Sequence, residues 1–380
     1  MRAASQRAGR YERQPANYQA FIPAPLPPAP PLRLEGELQR LLSSADVALG
    51  RLDGSIETLP NPDLFVFMYV RKEAVLSSQI EGTQSSLQDV LAAEAEITSA
   101  DSPKDADEVI NYIAAMKHGL ARLSDLPVSI RLIREIHERL LQGVRGSRLT
   151  PGELRQSQNW IGGTRHGNAI SVPPPPEQVP ALLSALEQFI HQPAADLPPL
   201  VRIALVHVQF ETIHPFLDGN GRIGRLLIAA LFEQWGVLTE PLMYVSGFLK
   251  QHQAEYYRRL SAVRTDGDWE AWVGFFLEGV ARSAEAAERS IIALASLINA
   301  DRRRLLQTPK ATPASLRLFE LLPTMPRFSI EQARQRLNTT FPTATAAVTL
   351  LQSLGIVSEQ TGQKKHRLFS YQAYVDLLSG

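Results

Sequence analysis

Residues 201–232 read VRIALVHVQFETIHPFLDGNGRIGRLLIAALF. Two apolar arms flank an insertion that no regular element tolerates. Pro215 pushes His214 out of helical geometry, so the first arm must end there. Gly219-Asn220-Gly221 then forms a turn, and RIGRLLIAALF opens from it as a new helix. The first arm is valine-rich and partly alternating, yet long for a strand.

The rest of the chain is helical in texture. From residue 37 the pattern predicts consecutive helices over 37–50, 63–81, 86–98, 104–123, 128–142, 177–191, 199–212, 222–235, 251–264, 268–282 and 284–306. Ser85-x-x-Gln88 supplies a capping box to the third. At 380 residues, 44% of them hydrophobic, the chain can hold more than one domain and a sizeable core. Residues 21–32, FIPAPLPPAPPL, are half proline and should run extended as an arm whose Phe21, Ile22, Leu26 and Leu32 reach the core. Between 143 and 176 glycines and prolines dominate, and HGNAISV suggests a short hairpin before the run PPPP. A loop this long inside a helical domain is usually functional. Past 307–313, short helices and two strands around a basic turn outline a winged helix. The expected fold class is mainly α with a β-hairpin flap, divided into an arm (1–36), N-terminal helices (37–126), a helical core with its following helices (127–306) and a winged helix (310–380).

Composition excludes several classes. Lys+Arg and Asp+Glu are both 39, so net charge points to neither nucleic acid nor membrane. The chain has no cysteine, which rules out disulfides and thiolate metal sites and suits a reducing compartment. MRAASQRAGRYERQ lacks the apolar core of a secretory signal. The longest apolar candidate, LLIAALFEQWGVL, is broken by Glu233, Gln234 and Gly236. The expectation is a soluble, cytoplasmic protein.

HPFLDGNGRIGR carries the chemistry. Its G-x-G-x-x-G (Gly219, Gly221, Gly224) is a weak dinucleotide signal, because no buried strand leads directly into it. Free backbone N–H groups at the turn make an anion site instead. Arg222 and Arg225, three apart, project near one another and can grip phosphates with forked hydrogen bonds. Asp218 is a hard oxygen ligand suited to Mg²⁺ bridging phosphates. His214 is a base with an ordinary pKa of about 6.5.

A second feature is LSSQIEGTQSSL, residues 76–87. Gly82 reads as a helix C-cap, which places Glu81 where the helix dipole disfavours a carboxylate by a few tenths to about 1 kcal/mol. The misfit asks for a cation elsewhere.

The twelve residues match H-x-F-x-[DE]-G-N-G-R-x-x-R of the Fic (filamentation induced by cAMP) family at every fixed position. SSQIEG resembles that family's inhibitory motif, [ST]-x-x-x-E-[GN], through Ser77, Glu81 and Gly82. WIGG and ISVPPPP resemble its flap. The similarity covers nearly the whole chain. It implies transfer of AMP from ATP to a Ser, Thr or Tyr hydroxyl of a protein, which can be the chain itself. By resemblance His214 is the base and Asp218 holds Mg²⁺. Gly219, Asn220 and Gly221 orient the α-phosphate; Arg222 and Arg225, with Ile223 and Gly224 in the same turn, hold the outer phosphates. Glu211 is a further ATP contact, and Gln251, with Lys250 as its alternative, stands on the adenine side. The flap residues Gly167, Asn168, Ala169, Ile170, Ser171 and Val172 dock the target by strand addition. Glu81 pairs with Arg225 and restrains the site.

Each feature also has an ordinary reading. Alone, His214 would be a capped structural residue, Asp218 a turn former and the arginines a solvated face. His207 and His166 read as structural. Two other functions fit the sequence: a DNA-binding regulator using the winged helix with a nucleotide-sensing Fic domain, or removal of AMP at the same site with Glu81 positioning water. The 310–380 region has a modest basic excess, but PTATAAVTLLQSLG offers base edges no Arg, Lys or Asn. A homodimer is compatible with the sequence.

Overall fold

The computed structural model describes residues 5–15, 17–56, 62–94, 105–193, 197–240, 243–363 and 367–379. At its centre lie α7 (Pro199–Ile213) and α8 (Asn220–Gln234). Every residue of α7 from Leu200 onward is buried, as is α8 from Arg222 to Phe232. Burial on all sides explains why VRIALVHVQFETI shows neither a clean helical stripe nor clean alternation. Helices α2 (Pro62–Ile80), α4 (Ala106–Arg122) and α5 (Ile130–Leu140) pack on α8. Helices α6 (Val179–His191), α10 (Gln253–Asp266) and α11 (Trp269–Gln307) pack on α7. Each large aliphatic side chain buried here contributes roughly 1.5–3 kcal/mol. Trp272 Nε1 donates to Ala204 O at 2.8 Å, fixing α11 to α7. Helix α1 (Glu37–Ile56) runs along α11, α3 (Leu87–Glu94) sits beside α2 and α4, and α9 (Ser246–Gln251) contacts α2. Residues 95–98, expected to complete α3, lie outside the described residues.

Two expectations change. The segments 268–282 and 284–306 form one helix of 39 residues, α11, because nothing at the junction breaks it. Its buried stripe runs through Ala281, Ala284, Ala287 and Ile291 without a gap. The start of the proline segment is also a strand rather than polyproline. β1 (Gly9–Arg13) and β2 (Gln19–Pro23) pair antiparallel, Tyr11 opposite Phe21, in a ribbon closed by Gln14 N donating to Tyr18 O at 2.9 Å. Ala20, Phe21 and Ile22 are buried, and Gln209 Nε2 donates to Ala24 O at 2.8 Å.

After α11 come α12 (Pro313–Leu321), β3 (Arg327–Ser329), α13 (Ile330–Leu337), α14 (Phe341–Ser353), β4 (Ser358–Glu359), β5 (Leu368–Ser370) and α15 (Gln372–Ser379). The three strands form an antiparallel sheet in the order β3-β5-β4. Residues 364–366, the middle of the basic turn, lie outside the described residues. Several contacts anchor this unit to the rest, two of them through Tyr371 and Arg327. Tyr371 OH donates to the buried Asp301 Oδ2 at 2.7 Å, and Arg327 Nη2 donates to Gln88 Oε1 at 3.0 Å. Among the described residues no helix is long and apolar enough to cross a membrane.

Candidate active site

His214 ends α7 in the left-handed region, at φ 50° and ψ 62°. For a non-glycine residue that conformation costs roughly 1–2 kcal/mol, so the surroundings must hold it. Arg155, 2% exposed, does most of this. Its Nε donates to His214 O at 2.9 Å, and its backbone N–H donates to Pro215 O at 2.9 Å. Asn159 Nδ2 donates to Phe216 O at 2.9 Å and to His214 O at 3.3 Å. The half-buried imidazole donates from Nδ1 to Glu211 O at 3.3 Å, which leaves the Nε2 lone pair as its base. Burial, helped by the charges of Arg155 and Arg264 and opposed by Glu81, pushes its pKa down to about 4.

Asp218 and Gly219 complete the turn. Gly219 sits at φ 79°, and its N–H donates to Asp218 Oδ1 at 2.7 Å. His137 braces the carbonyl: its Nε2 donates to Asp218 O at 3.0 Å, and its Nδ1 accepts from Gly152 N at 2.8 Å. The ring stacks on Phe216 at 3.7 Å, and burial drives its pKa to about 4. The side chain of Asn220, expected near a phosphate, is engaged within its own loop. Its Oδ1 accepts from Phe216 N at 2.9 Å and its Nδ2 donates to Phe216 O at 2.8 Å, so the side chain ties the loop shut and only its backbone N–H faces outward from the helix start.

Helix α8 opens with its N-terminus occupied. A Cβ on Gly221 would collide with Glu81 Oε1, so the Glu81 carboxylate rests on the first turn of α8. Glu81 follows α2 directly, and Gly82 turns the chain away at φ 96°. Arg225 receives the same carboxylate at 2.7 Å through Nη2. Arg225 also donates to Ser77, from Nε to Oγ at 2.8 Å and from Nη2 to O at 2.9 Å. Burial would raise the pKa of Glu81, but the Arg225 guanidinium holds it below the usual carboxylate range. Burial likewise works against Arg225, and Glu81 keeps its pKa above the ordinary value. The two arginines of the motif part company: Arg222 turns to Glu108 on α4, at 3.2 Å.

The remaining expected contacts scatter. Ile223 is buried at 1%, so only its backbone is near the turn. Gly224 lets α7 and α8 approach, since a Cβ there would meet Glu211 Oε1. That oxygen is buried without a hydrogen-bond partner, and burial, against the pull of Arg225, raises the Glu211 pKa to about 7. His207 links three helices: its Nδ1 donates to Gly224 O at 3.0 Å, and its Nε2 accepts from Tyr256 OH at 2.9 Å. Gln251 is exposed at the end of α9. Its neighbours hold the end of α2: Lys250 donates to Gln79, and Gln253 Nε2 donates to Ile80 O at 3.0 Å. Tyr257, 45% exposed, feels the charges of Glu81 and Arg225.

The flap is smaller than a hairpin. Gly167 and Asn168 lie in a 3₁₀ turn, and Ala169 leads to a single antiparallel bridge between Ile161 and Ser171. Asn168 Oδ1 accepts from Thr164 N at 3.0 Å and Arg165 N at 2.9 Å, which favours a local turn over paired strands. Ile170 is 68% exposed. Val172 O accepts from Phe21 N at 2.9 Å, so the N-terminal ribbon continues the flap.

No group of three or more His, Asp or Glu among the described residues forms a metal cage. Asp218, 33% exposed, nevertheless suits Mg²⁺, which takes one or two carboxylates and completes its shell with phosphate and water. His137, Arg155, Asn159 and Glu108 were not singled out by sequence reasoning. Only the long Gly/Pro-rich loop, which carries Arg155 and Asn159, hinted at them.

Residues 39–121 match the Fic/DOC family N-terminal region, and residues 127–232 match the Fic/DOC family. Among curated relatives, the protein adenylyltransferase Fic of Aedes aegypti is 32% identical over 47% of this chain and 33% of its own length. That of Drosophila willistoni is 32% identical over 45% of this chain and 32% of its own. The match thus spans about a third of those relatives. A crystal structure of a Fic family protein from Desulfovibrio desulfuricans has the same fold, with a TM-score of 0.58 at 20% identity over 90% of this chain and 97% of that one. A Fic domain containing signaling protein from Bacteroides thetaiotaomicron aligns over 69% of this chain and 97% of its own, with a TM-score of 0.53 and 20% identity. The matched regions, meeting at the turn between α7 and α8, make this chain a member of the Fic/DOC family.

Proposed function

We propose that the chain transfers AMP from ATP to a Ser, Thr or Tyr hydroxyl of a protein, and that Glu81 restrains it. The observation that carries the reading is a neutral His214 with a free Nε2 beside a helix N-terminus on which a carboxylate already sits. The Glu81 carboxylate marks where an anionic phosphate is received. His214 Nε2 takes the proton of the target hydroxyl. The oxygen bonds to the α-phosphorus, and the bond to pyrophosphate breaks. The amides at the start of α8, with Arg222 and Arg225, hold the phosphates. Mg²⁺ on Asp218, when bound, neutralises charge on the phosphate oxygens. The exposed Ile170 marks the part of the flap at which a target strand would be added. With Glu81 on Arg225, the nucleotide's outer phosphate loses its guanidinium.

The test is incubation with Mg²⁺ and α-labelled ATP, alone and with lysate. Label is expected on this chain or a partner, stronger with Glu81→Gly and absent with His214→Ala. No label from wild type or Glu81→Gly would refute the reading. The helix-strand-helix-helix-strand-strand order after α11 supports a winged helix at the C-terminus. Salt-dependent binding to a defined duplex would favour the regulator role for that unit.

A further inference from the structure

We infer that Glu108 is a positioning residue for Arg222, keeping its guanidinium off Asp218 and available to the outer phosphates of a nucleotide; this rests on the adenylyl-transfer reading above. Arg222 is buried, with 1% of its side chain exposed, so its charge requires a partner inside the protein. Two carboxylates are within reach. Glu108 Oε2 accepts from Nη1 at 3.2 Å, whereas Asp218 Oδ1 stands 3.9 Å from Nη2. The Arg222 Nε is buried without a partner, so the guanidinium is not locked on all its edges.

Glu108 is itself well placed to hold a cation. It lies in the first turn of α4, where the helix dipole favours a carboxylate, and its N–H is capped by Asp105 O at 3.1 Å. Its side chain is 9% exposed and receives a second guanidinium, Arg145, at 3.3 Å on the same oxygen. The Arg145 loop is drawn against the motif by Gly146, at φ 87°. A Cβ there would stand 2.7 Å from Asp218 Oδ2. Helix α4 is fixed to the end of α5 by Asn111 Nδ2 donating to Gln142 O at 2.6 Å. The result is an alternating set, Arg145–Glu108–Arg222–Asp218, in which each buried charge is countered by its neighbour.

Without Glu108, Arg222 keeps Asp218 as its nearest carboxylate. Closing that gap would direct the guanidinium onto the oxygen donor of the site and away from the β- and γ-phosphates. Contacts to the AMP part of the nucleotide come from other residues and should be spared. A purely structural role for Glu108 would instead weaken every ligand alike.

The experiment measures equilibrium binding of ATP and AMP by calorimetry, with Mg²⁺ fixed, in the Glu81→Gly protein. Adding Glu108→Gln should weaken ATP by about tenfold, the loss of one charge-assisted phosphate contact, and AMP by less than about twofold. In an Arg222→Ala background the same Glu108→Gln change should have no further effect on ATP. Should Glu108→Gln not fold, Glu108→Asp keeps the charge on a shorter arm and should show a smaller loss of the same selectivity. Equal weakening of ATP and AMP, or additivity with Arg222→Ala, overturns the proposal while leaving adenylyl transfer intact. A Glu81→Gly protein that binds neither nucleotide overturns both.

Discussion

The Glu81 carboxylate occupies the space that a Cβ on Gly221 would need, although Glu81 follows α2 and Gly221 lies in the first turn of α8. At the end of α2 this carboxylate opposes its own helix dipole, and at the start of α8 it is favoured. The same oxygen lies 2.7 Å from Arg225 Nη2. One contact therefore resolves the local misfit and covers the anion site.

Removal of that carboxylate should increase adenylyl transfer. Glu81→Gly is expected to raise the initial rate by about tenfold or more, equivalent to about 1.4 kcal/mol of released competition. Arg225→Ala added to it should bring the rate down again. Quantified label incorporation checks both, and equal rates for wild type and Glu81→Gly would reduce the contact to a helix end.

The pH profile should show a displaced base. Burial holds His214 near pKa 4, so its lone pair is available at pH values where a free imidazole of about 6.5 is protonated. In Glu81→Gly protein, kcat/KM should stay nearly flat from pH 7.5 down to about 5.5. An acid limb centred near 6.5 would show His214 to be solvated. The same shift affects folding. Below about 6.5 the unfolded chain binds a proton that native His214 refuses, so this contribution to stability is lost as pH falls toward about 4.

Glu73 should give the opposite slope. It is 3% exposed, accepts from Ser246 Oγ and from Tyr112 OH at 3.4 Å, and has one oxygen without a partner. Burial raises its pKa to about 7, against the pull of Ser246 and Arg225. The native state thus holds a proton that the unfolded state releases near pH 4.5. That stabilisation is complete in acid and is lost as pH rises through 7. Glu73→Gln should remove this decline, worth on the order of 1–3 kcal/mol, as read from denaturant unfolding at pH 6 and pH 8.5.

Arg155 should be needed for the shape of the turn. Arg155→Ala leaves the carbonyls of Pro174 and Ile213 without their Arg155 donor and that of His214 with Asn159 alone, and should cost roughly 2–4 kcal/mol of stability together with most activity. Arg155→Lys should rescue little, because one ammonium cannot reproduce the fork. Near-wild-type unfolding and turnover in the lysine variant would assign the turn to Asn159 and Asn220 instead.

What could be read from the sequence alone follows from short-range physics. Pro215 and the glycines of GNG settle where α7 stops and α8 starts, because these constraints act within a few residues. The ordering of base, carboxylate and arginines along HPFLDGNGRIGR is also local, and Gly82 next to Glu81 marks a helix end. Of the long-range partners, the pairing of Glu81 with Arg225 was expected through the family resemblance and is present at 2.7 Å, but the others were not legible. Neither the closing of the Asn220 side chain on Phe216 nor the turn of Arg222 to Glu108 has a local signal in the sequence. His137 and Arg155 carry no local signature, since what they brace are backbone carbonyls far along the chain. The β1–β2 ribbon was hidden by the prolines that follow it, and α11 was divided where its packing continues. A turn or a cap is specified by its immediate neighbours, whereas the partner of a buried charge is whichever group the packed helices bring within about 3 Å of it, and only the tertiary structure decides that.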